Sequence, residues 1–427
     1  MPEQKPQPKP DVGKELLKEV TRPPKGRTFW ARAGNALLIP ALAVLTGLLL
    51  GAVIIILTSE AVYQGFQQSF GAGMLAVWKS IADAYGAMFT GAFGNPVKFF
   101  TALGSGEAIQ IRRAINPPLE SLVVSTPYIF AGLAVALGFR AGVFNIGVEG
   151  QLFMGAVAAT YVGYAVKGLP PYIHMPLAFL AGAAGGAIWG FIPGWLKAKT
   201  GGHEVINTIM LNWIAFRLTD WLLAGPMQRP DSGGMPISPV IETSAQIPQF
   251  FGTPIRFHLG FFIALAVAFG VYWLLFKTTW GFELRSVGAN PSGGRYAGMN
   301  IARNTILAMA LSGALAGMAG ANQVLAVTRS MAMGLSSGYG YDSIALALLG
   351  NSSPLGVVLA SLLFGFLRNG ASQMMVVSRI PIDIISIIQA FILIFIAAPA
   401  IIRSLYRMKQ AKDADTGVVL SSWGGGK

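Results

Sequence analysis

The sequence predicts an all-α protein that crosses a membrane about ten times, with two broken or re-entrant segments. Of its 427 residues, 53% are hydrophobic and only 11% are charged. A soluble globular domain carries about 25% charged residues, so this chain has too few polar side chains to cover a surface that faces water. Its 53 glycines and 25 prolines stand mostly inside apolar runs, where glycine allows close helix contact and proline marks breaks.

Apolar runs of membrane-spanning length recur along the chain. About 20 apolar residues are needed to cross a hydrocarbon layer of roughly 30 Å. The predicted spans are residues 36–58, 119–139, 151–166, 176–196, 205–223, 259–276, 304–327 and 382–402. Residues 59–118 mix aromatic with small residues, which predicts short amphipathic helices along the outer membrane face.

Two interruptions stand out within this pattern. Gly350-Asn351-Ser352-Ser353-Pro354 divides the apolar stretch Ile344–Leu367, which predicts two short half-spans and brings the crossings to ten. Residues 140–150 contain three glycines beside polar groups and form a comparable first break. Transporters built from two related halves place their ligand path at such paired breaks, although a simple kink is the alternative.

The charges predict which side each loop faces. Residues 1–35 are basic and rich in proline, without the apolar core of a signal peptide, and they are interpreted as a cytoplasmic tail, as are residues 406–427. With both termini inside, the inward loops contain 20 Lys and Arg and the outward loops 10, in agreement with the enrichment of positive residues on the cytoplasmic side. The net charge of +13 is therefore spread between spans, and does not indicate a nucleic acid partner.

Uncharged polar side chains collect at the breaks and on neighbouring spans. They are Asn145, Gln151, Asn351 and Ser352 at the breaks, and Asn207, Asn322 and Gln323 on spans. Amides and hydroxyls can satisfy the hydroxyls and base edges of a neutral ligand, but they suit an anionic phosphate poorly. Among the aromatic residues, Trp213 is the candidate to stack on a ligand.

Glu149 is a carboxylate at the end of the first break. An acidic residue beside the bilayer is functional by default, because burying it unpaired is costly. The structural alternative places Glu149 in the first turn of the third span, stabilised by the N-terminus of that helix or by Arg140.

The inward loop at residues 281–300 is polar and contains a helix-start signal, Asn290-Pro291. It predicts a short helix across the cytoplasmic face, to which a soluble protein can dock. A solvated connecting loop is the alternative.

Three motifs in order resemble the permease subunits of bacterial ABC importers, and most closely the nucleoside-type branch of the family that includes ribose and branched-chain amino acid permeases. The motifs are Gly142–Gln151, Glu204–Trp213, and Gly288–Pro291 with Arg295–Gly298. The resemblance covers about residues 36–405. It implies a multi-pass protein of the bacterial cell membrane that imports nucleosides without a cofactor.

The resemblance also implies partners. Residues 281–300 would be the coupling loop for a separate ATPase subunit, through Glu283, Arg285, Gly288, Asn290, Pro291, Arg295 and Gly298. A second permease subunit, identical or different, and an extracytoplasmic solute-binding protein complete the expected importer.

Other function classes fit the sequence less well. The chain has no Gly-x-x-x-x-Gly-Lys-[Ser/Thr] phosphate loop, so ATP hydrolysis is expected in another chain. Gly334–Gly338 matches Gly-x-Ser-x-Gly but lacks the strand-turn-helix setting and a nearby histidine base of a hydrolase. With no cysteine and three scattered histidines, no metal motif is recognisable.

An ion-coupled transporter would carry carboxylates in its spans, where Arg217 and Asp220 are almost the only charges. The sequence also leaves open a permease for a sugar such as ribose.

Overall fold

Each predicted span coincides with one or two helices of the computed structural model, which describes residues 29–378 and 382–407. The helices are α1 (Phe29–Thr58), α2 (Glu60–Gln68), α3 (Phe70–Phe93), α4 (Pro96–Ser105), α5 (Ala108–Arg140), α6 (Val148–Ala165), α7 (Pro171–Thr200), α8 (Glu204–Ala224), α9 (Gly260–Lys277), α10 (Thr279–Ala289), α11 (Pro291–Tyr296), α12 (Ile301–Asn322), α13 (Tyr339–Leu349), α14 (Pro354–Ser378), α15 (Ile382–Ala397) and α16 (Pro399–Leu405). A 3₁₀ turn covers Thr243–Ala245, and α12 continues as a π-helix over Gln323–Thr328. Within those described ranges there are isolated β-bridges but no strand, so the all-α prediction is confirmed.

Six helical segments in the described part of the chain are long and apolar enough to cross a membrane. They are Ala41–Thr58, Ala108–Arg140, Pro171–Thr200, Gly260–Lys277, Ile301–Thr328 and Pro354–Ser378. The protein is therefore a multi-pass membrane protein. The other four expected crossings lie on α6, α8, α13 and α15, which do not reach that length and apolarity, so the count of ten stays a prediction.

The prediction of short helices lying along the membrane face at residues 59–118 is wrong for α3. This helix has 24 residues and packs along α14. At the contact with α14, an added Cβ on Gly91 would lie 2.4 Å from the Gln373 side chain. Helix α3 also contacts α1, where the Tyr85 hydroxyl donates a hydrogen bond to the Leu48 carbonyl. Small residues allow this close packing, and a hydropathy pattern does not report it.

The second half-span is also longer than predicted. The break at Gly350–Ser353 is present, but α14 runs for 25 residues instead of ending near Leu367. The apolar run ends at Arg368 and Asn369, whose polar groups are satisfied inside the protein. Arg368 pairs with Asp342, and the Asn369 amide donates to the Gly91 and Pro117 carbonyls.

Helices α5, α6, α7 and α12 form the main buried core. Glycines at four-residue spacing bring the α7 and α12 backbones together. A Cβ on Gly186 would lie 2.2 Å from the Gly313 carbonyl oxygen, and one on Gly317 would lie 2.2 Å from the Gly182 carbonyl oxygen. Such close helix packing is typical of membrane proteins, and here it provides a rigid support for the first break.

Candidate substrate path and coupling surface

The two breaks predicted from the sequence contact each other. Arg140, the last residue of α5, donates from Nε to the Ser352 carbonyl and from Nη2 to the Asn351 carbonyl, each at 3.0 Å. Asn351 and Ser352 have φ values of 50° and 48°, in the left-handed region that residues other than glycine rarely adopt. The guanidinium thus fixes the turn of the second break to the end of the first.

The polar side chains of the first break are hydrogen-bonded to one another. Asn145 Nδ2 donates to Gln151 Oε1 and to Ser312 Oγ, each at 2.8 Å, and Gln151 Nε2 donates back to Asn145 Oδ1 at 3.1 Å. The Gly147 N–H also donates to Asn145 Oδ1, at 2.9 Å. All three side chains are fully buried. In this conformation Asn145 and Gln151 hold the break in shape and do not present free amides to a ligand.

Glu149 is buried and stabilises a different helix from its own. Its Oε2 accepts a hydrogen bond of 2.6 Å from the Gly340 N–H, in the first turn of α13. A carboxylate at a helix N-terminus is stabilised by the unpaired N–H groups and the helix dipole. The first break therefore also contacts the beginning of the segment that leads into the second break.

Asn212 is a functional candidate that the sequence analysis missed. Its Oδ1 accepts from the Gly150 N–H at 2.9 Å, and its Nδ2 donates to the Ile146 carbonyl at 3.0 Å. The side chain thereby ties α8 to the first break. Its position in the Glu204–Trp213 motif was the feature of the sequence that could have identified it.

A charged cluster joining α5, α13 and α14 was also missed. Asp342 Oδ2 accepts from the Tyr128 hydroxyl at 2.8 Å and from Arg368 Nη1 at 3.1 Å. Arg368 Nη2 donates to the Ser337 carbonyl at 2.7 Å, and its guanidinium lies 5.0 Å from the Tyr339 ring centroid. This cluster fixes the N-terminal end of α13.

The remaining candidate path residues do not converge on one pocket. Asn322 is fully buried beside Gly260, and neither polar atom of its side chain has a partner in the part of the chain described. Gln323 begins the π-helix, and Asn207 is partly buried on α8. Trp213 is exposed on the same helix.

The inward loop forms a helical hairpin of two helices, α10 and α11, where one short helix was expected. Asn290 caps α11 by accepting from the Gly293 N–H at 3.0 Å, and Pro291 occupies the first turn. Glu283 accepts from the Asn304 amide at 3.2 Å, and Arg285 donates to the Leu275 carbonyl at 2.9 Å. These contacts hold the hairpin to α9 and α12.

The hairpin contacts the first break through backbone. A Cβ on Gly288 would lie 2.5 Å from the Ala141 carbonyl carbon, and one on Gly142 would lie 2.6 Å from the Gly288 Cα. Gly298, by contrast, has open space around it and a φ of 80°. Arg295 is exposed and Tyr296 is 97% exposed, so the tip of the hairpin is free for a partner.

Comparison with known proteins agrees with this architecture. The sequence profile of the family described as "Branched-chain amino acid transport system / permease component" matches residues 118–397. The chain belongs to this permease family. The match includes both breaks, the hairpin and the core helices α6, α7 and α12, and it shows the protein to be the permease component of a transport system.

The permease is similar over most of its length to three relatives. It is 40% identical to the guanosine ABC transporter permease NupP of Bacillus subtilis, over 89% of this chain and 98% of the relative. It is 35% identical to the glucose ABC transporter permease TsgB13 of Haloferax volcanii, over 76% and 83%. It is 33% identical to the nucleoside ABC transporter permease NupB of Lactococcus lactis, over 74% and 88%. No solved structure is significantly similar to it.

Proposed function

We propose that the permease is the membrane subunit of an ATP-driven importer that moves nucleosides into a bacterial cell. The observation that carries the proposal is the 40% identity to a guanosine permease over nearly the whole of that relative. The motifs at the first break, on α8 and at the hairpin are joined by direct contacts in the structure, and the first break also contacts the second.

Those contacts supply a physical route from the cytoplasmic hairpin to the membrane interior. Gly288 of the hairpin meets Gly142 of the first break with no room for a Cβ, and Arg140 bonds the first break to the second. Packed interfaces of this kind do not deform continuously, so a small displacement shifts the whole contact. A displacement of α10 or α11 would therefore move both breaks together.

We propose that a separate ATPase subunit docks on α10 and α11 and displaces them. Arg295 and Tyr296 project from the hairpin tip, and Glu283, Arg285, Asn290 and Pro291 give the hairpin its fixed shape. A second permease subunit and an extracytoplasmic solute-binding protein complete the importer, with residues 1–35 and 406–427 as cytoplasmic tails. The part of the chain at residues 1–28 and 408–427 lies outside the described residues.

The substrate assignment has a second candidate. The glucose permease relative is 35% identical, and a sugar would also use uncharged hydrogen-bonding groups. Nucleosides are preferred because the guanosine relative is matched over more of its length, 98% against 83%, and because the exposed aromatic residue Trp213 suits a base.

Uptake measurements test the assignment. Cells without their own nucleoside uptake, expressing the complete importer, should accumulate labelled guanosine, and uridine more weakly, but not ribose or glucose. Sugar uptake without nucleoside uptake would overturn the assignment. Uptake that survives depletion of ATP and is abolished by an ionophore would favour ion coupling instead.

A further inference from the structure

One face of α8 is exposed along its whole length and carries a charge. The exposed residues recur every three or four positions and are Ile206, Met210, Trp213, Ile214, Arg217 and Trp221. Residues at this spacing share one helix face. The Arg217 side chain is 78% exposed, and its Nη1 lies 3.6 Å from Asp220 Oδ2. The opposite face, with Asn212 and Ala215, is buried.

Arg217 does not suit a surface that faces lipid. It lies seven residues before the end of α8, about 10 Å along the helix axis, and a charge at that depth in hydrocarbon is costly. Helical side chains lean toward the N-terminus, so in the proposed topology Arg217 leans toward the membrane centre and away from the nearer interface. The exposed face of α1, by contrast, is apolar and carries Leu45, Leu49 and Val53.

The two tryptophans on this face do not form an interface belt. Trp213 is 57% exposed and Trp221 is 62% exposed. Eight residues of helix separate them by about 12 Å, so both cannot lie at one membrane–water boundary. Trp213 lies near the middle of α8, one turn before Arg217. Trp221 lies one turn after Arg217 on the same face.

We infer that this face lines the aqueous path and that Trp213, Arg217, Asp220 and Trp221 form a nucleobase subsite selective for 6-oxopurine nucleosides. An indole provides a stacking surface for a base. A guanidinium donates two hydrogen bonds to O6 and N7 of guanine, and the Asp220 carboxylate can accept from the N1–H and N2–H groups. Adenine presents an amino donor at position 6, which repels a guanidinium donor. The inference rests on the proposed function and names its substrate class.

The uptake of different nucleosides by variants of the importer tests the selectivity. Arg217→Ala should reduce guanosine and inosine uptake about tenfold, the loss of one bidentate base contact, and should reduce adenosine uptake much less. Arg217→Lys keeps the charge without the planar fork and should lose selectivity as Arg217→Ala does. Trp273→Ala on α9, an equally exposed tryptophan, is the matched control and should leave uptake unchanged. Equal losses for guanosine and adenosine in Arg217→Ala would overturn the subsite.

Thiol labelling tests the aqueous path separately. Because the chain has no cysteine, single cysteines at Trp213 and Arg217 can be compared with one at Phe269, which is exposed on α9. A charged, water-soluble thiol reagent should modify positions 213 and 217, guanosine should slow the reaction, and position 269 should stay unmodified. Absence of labelling at position 217 in the assembled importer would overturn the inference, since the face would then be covered by lipid or by another subunit.

These results separate the two proposals. If the unsubstituted importer takes up no nucleoside, the proposed function fails. If it takes up guanosine and Arg217→Ala transports guanosine equally well, only the subsite fails.

Discussion

At the scale of single residues, two kinds of polar group in this membrane protein have different expected roles: those that hydrogen-bond to one another inside the protein, and those exposed on a helix face. Asn145 and Gln151 belong to the first kind, since each bonds the other and both are buried. Arg217 belongs to the second, with a side chain that is largely exposed. A buried network contributes to stability, whereas we propose that the exposed charge of Arg217 serves a ligand.

Removing the Asn145 amide should destabilise the fold. Asn145→Ala removes the hydrogen-bond partner of the Gln151 amide and of the Gly147 N–H, which costs about 1–3 kcal/mol for each buried group left unpaired, while Ser312 keeps its bond to the Ala134 carbonyl. Thermal unfolding in detergent should show a lower Tm. Asn207→Ala, at a partly buried position on α8, is the control and should leave the Tm unchanged. An unaltered Tm for Asn145→Ala would contradict the structural role.

The Arg368–Asp342 pair should also respond to a single substitution. Arg368→Met leaves the Asp342 carboxylate without its cation. The loss should be smaller than the about 3–5 kcal/mol of a fully buried pair, because the two side chains are 25% and 31% exposed. The double variant Arg368→Met with Asp342→Asn should recover part of the Tm, as measured by a double-mutant cycle. Additive losses would show that the pair is not coupled.

At the scale of helices, the α10–α11 hairpin divides into an inner and an outer surface. Gly288 packs on the backbone of Ala141 and Gly142, so it belongs to the internal contact with the first break. Tyr296 has almost no contact with the rest of the chain. Substitutions on the inner surface should therefore lower stability, whereas substitutions on the outer surface should impair coupling to the ATPase.

Substitutions on the two surfaces of the hairpin should separate folding from coupling. Gly288→Leu should lower the Tm, because its side chain has no space against Ala141. Tyr296→Ala should keep the Tm and membrane insertion but lose both transport and substrate-stimulated ATP hydrolysis by the associated ATPase. Normal transport by Tyr296→Ala would count against docking at the hairpin tip.

At the scale of the whole molecule, the charge distribution predicts both termini inside. The hairpin then faces the cytoplasm, while Lys98 and Asp231 face outward. Both outward positions are exposed in the structure, as is Arg295, so accessibility to a reagent depends on the side of the membrane and not on burial.

Single cysteines at these positions test the topology directly. In intact cells, an impermeant thiol reagent should modify cysteine at positions 98 and 231 but not at position 295. After permeabilisation, position 295 should react as well, which shows that the site is accessible in itself. Labelling of position 295 in intact cells would reverse the proposed orientation.

The sequence by itself determined the fold class, the positions of the main spans, both breaks and the capped inward segment. These features depend on hydropathy and helix signals within about 20 neighbouring residues. Only the tertiary structure decided that α3 and α14 pack as full-length helices, that Arg140 bridges to residues 351 and 352, and that Asn212 bonds the first break. The hydrogen-bond partners of Arg140 and Asn212 are 62 to 212 residues away in the chain, and those of α3 and α14 are farther still, with Gly91 and Asn369 278 residues apart. Local patterns do not report which distant groups will satisfy a polar side chain, because that is settled when the helices pack.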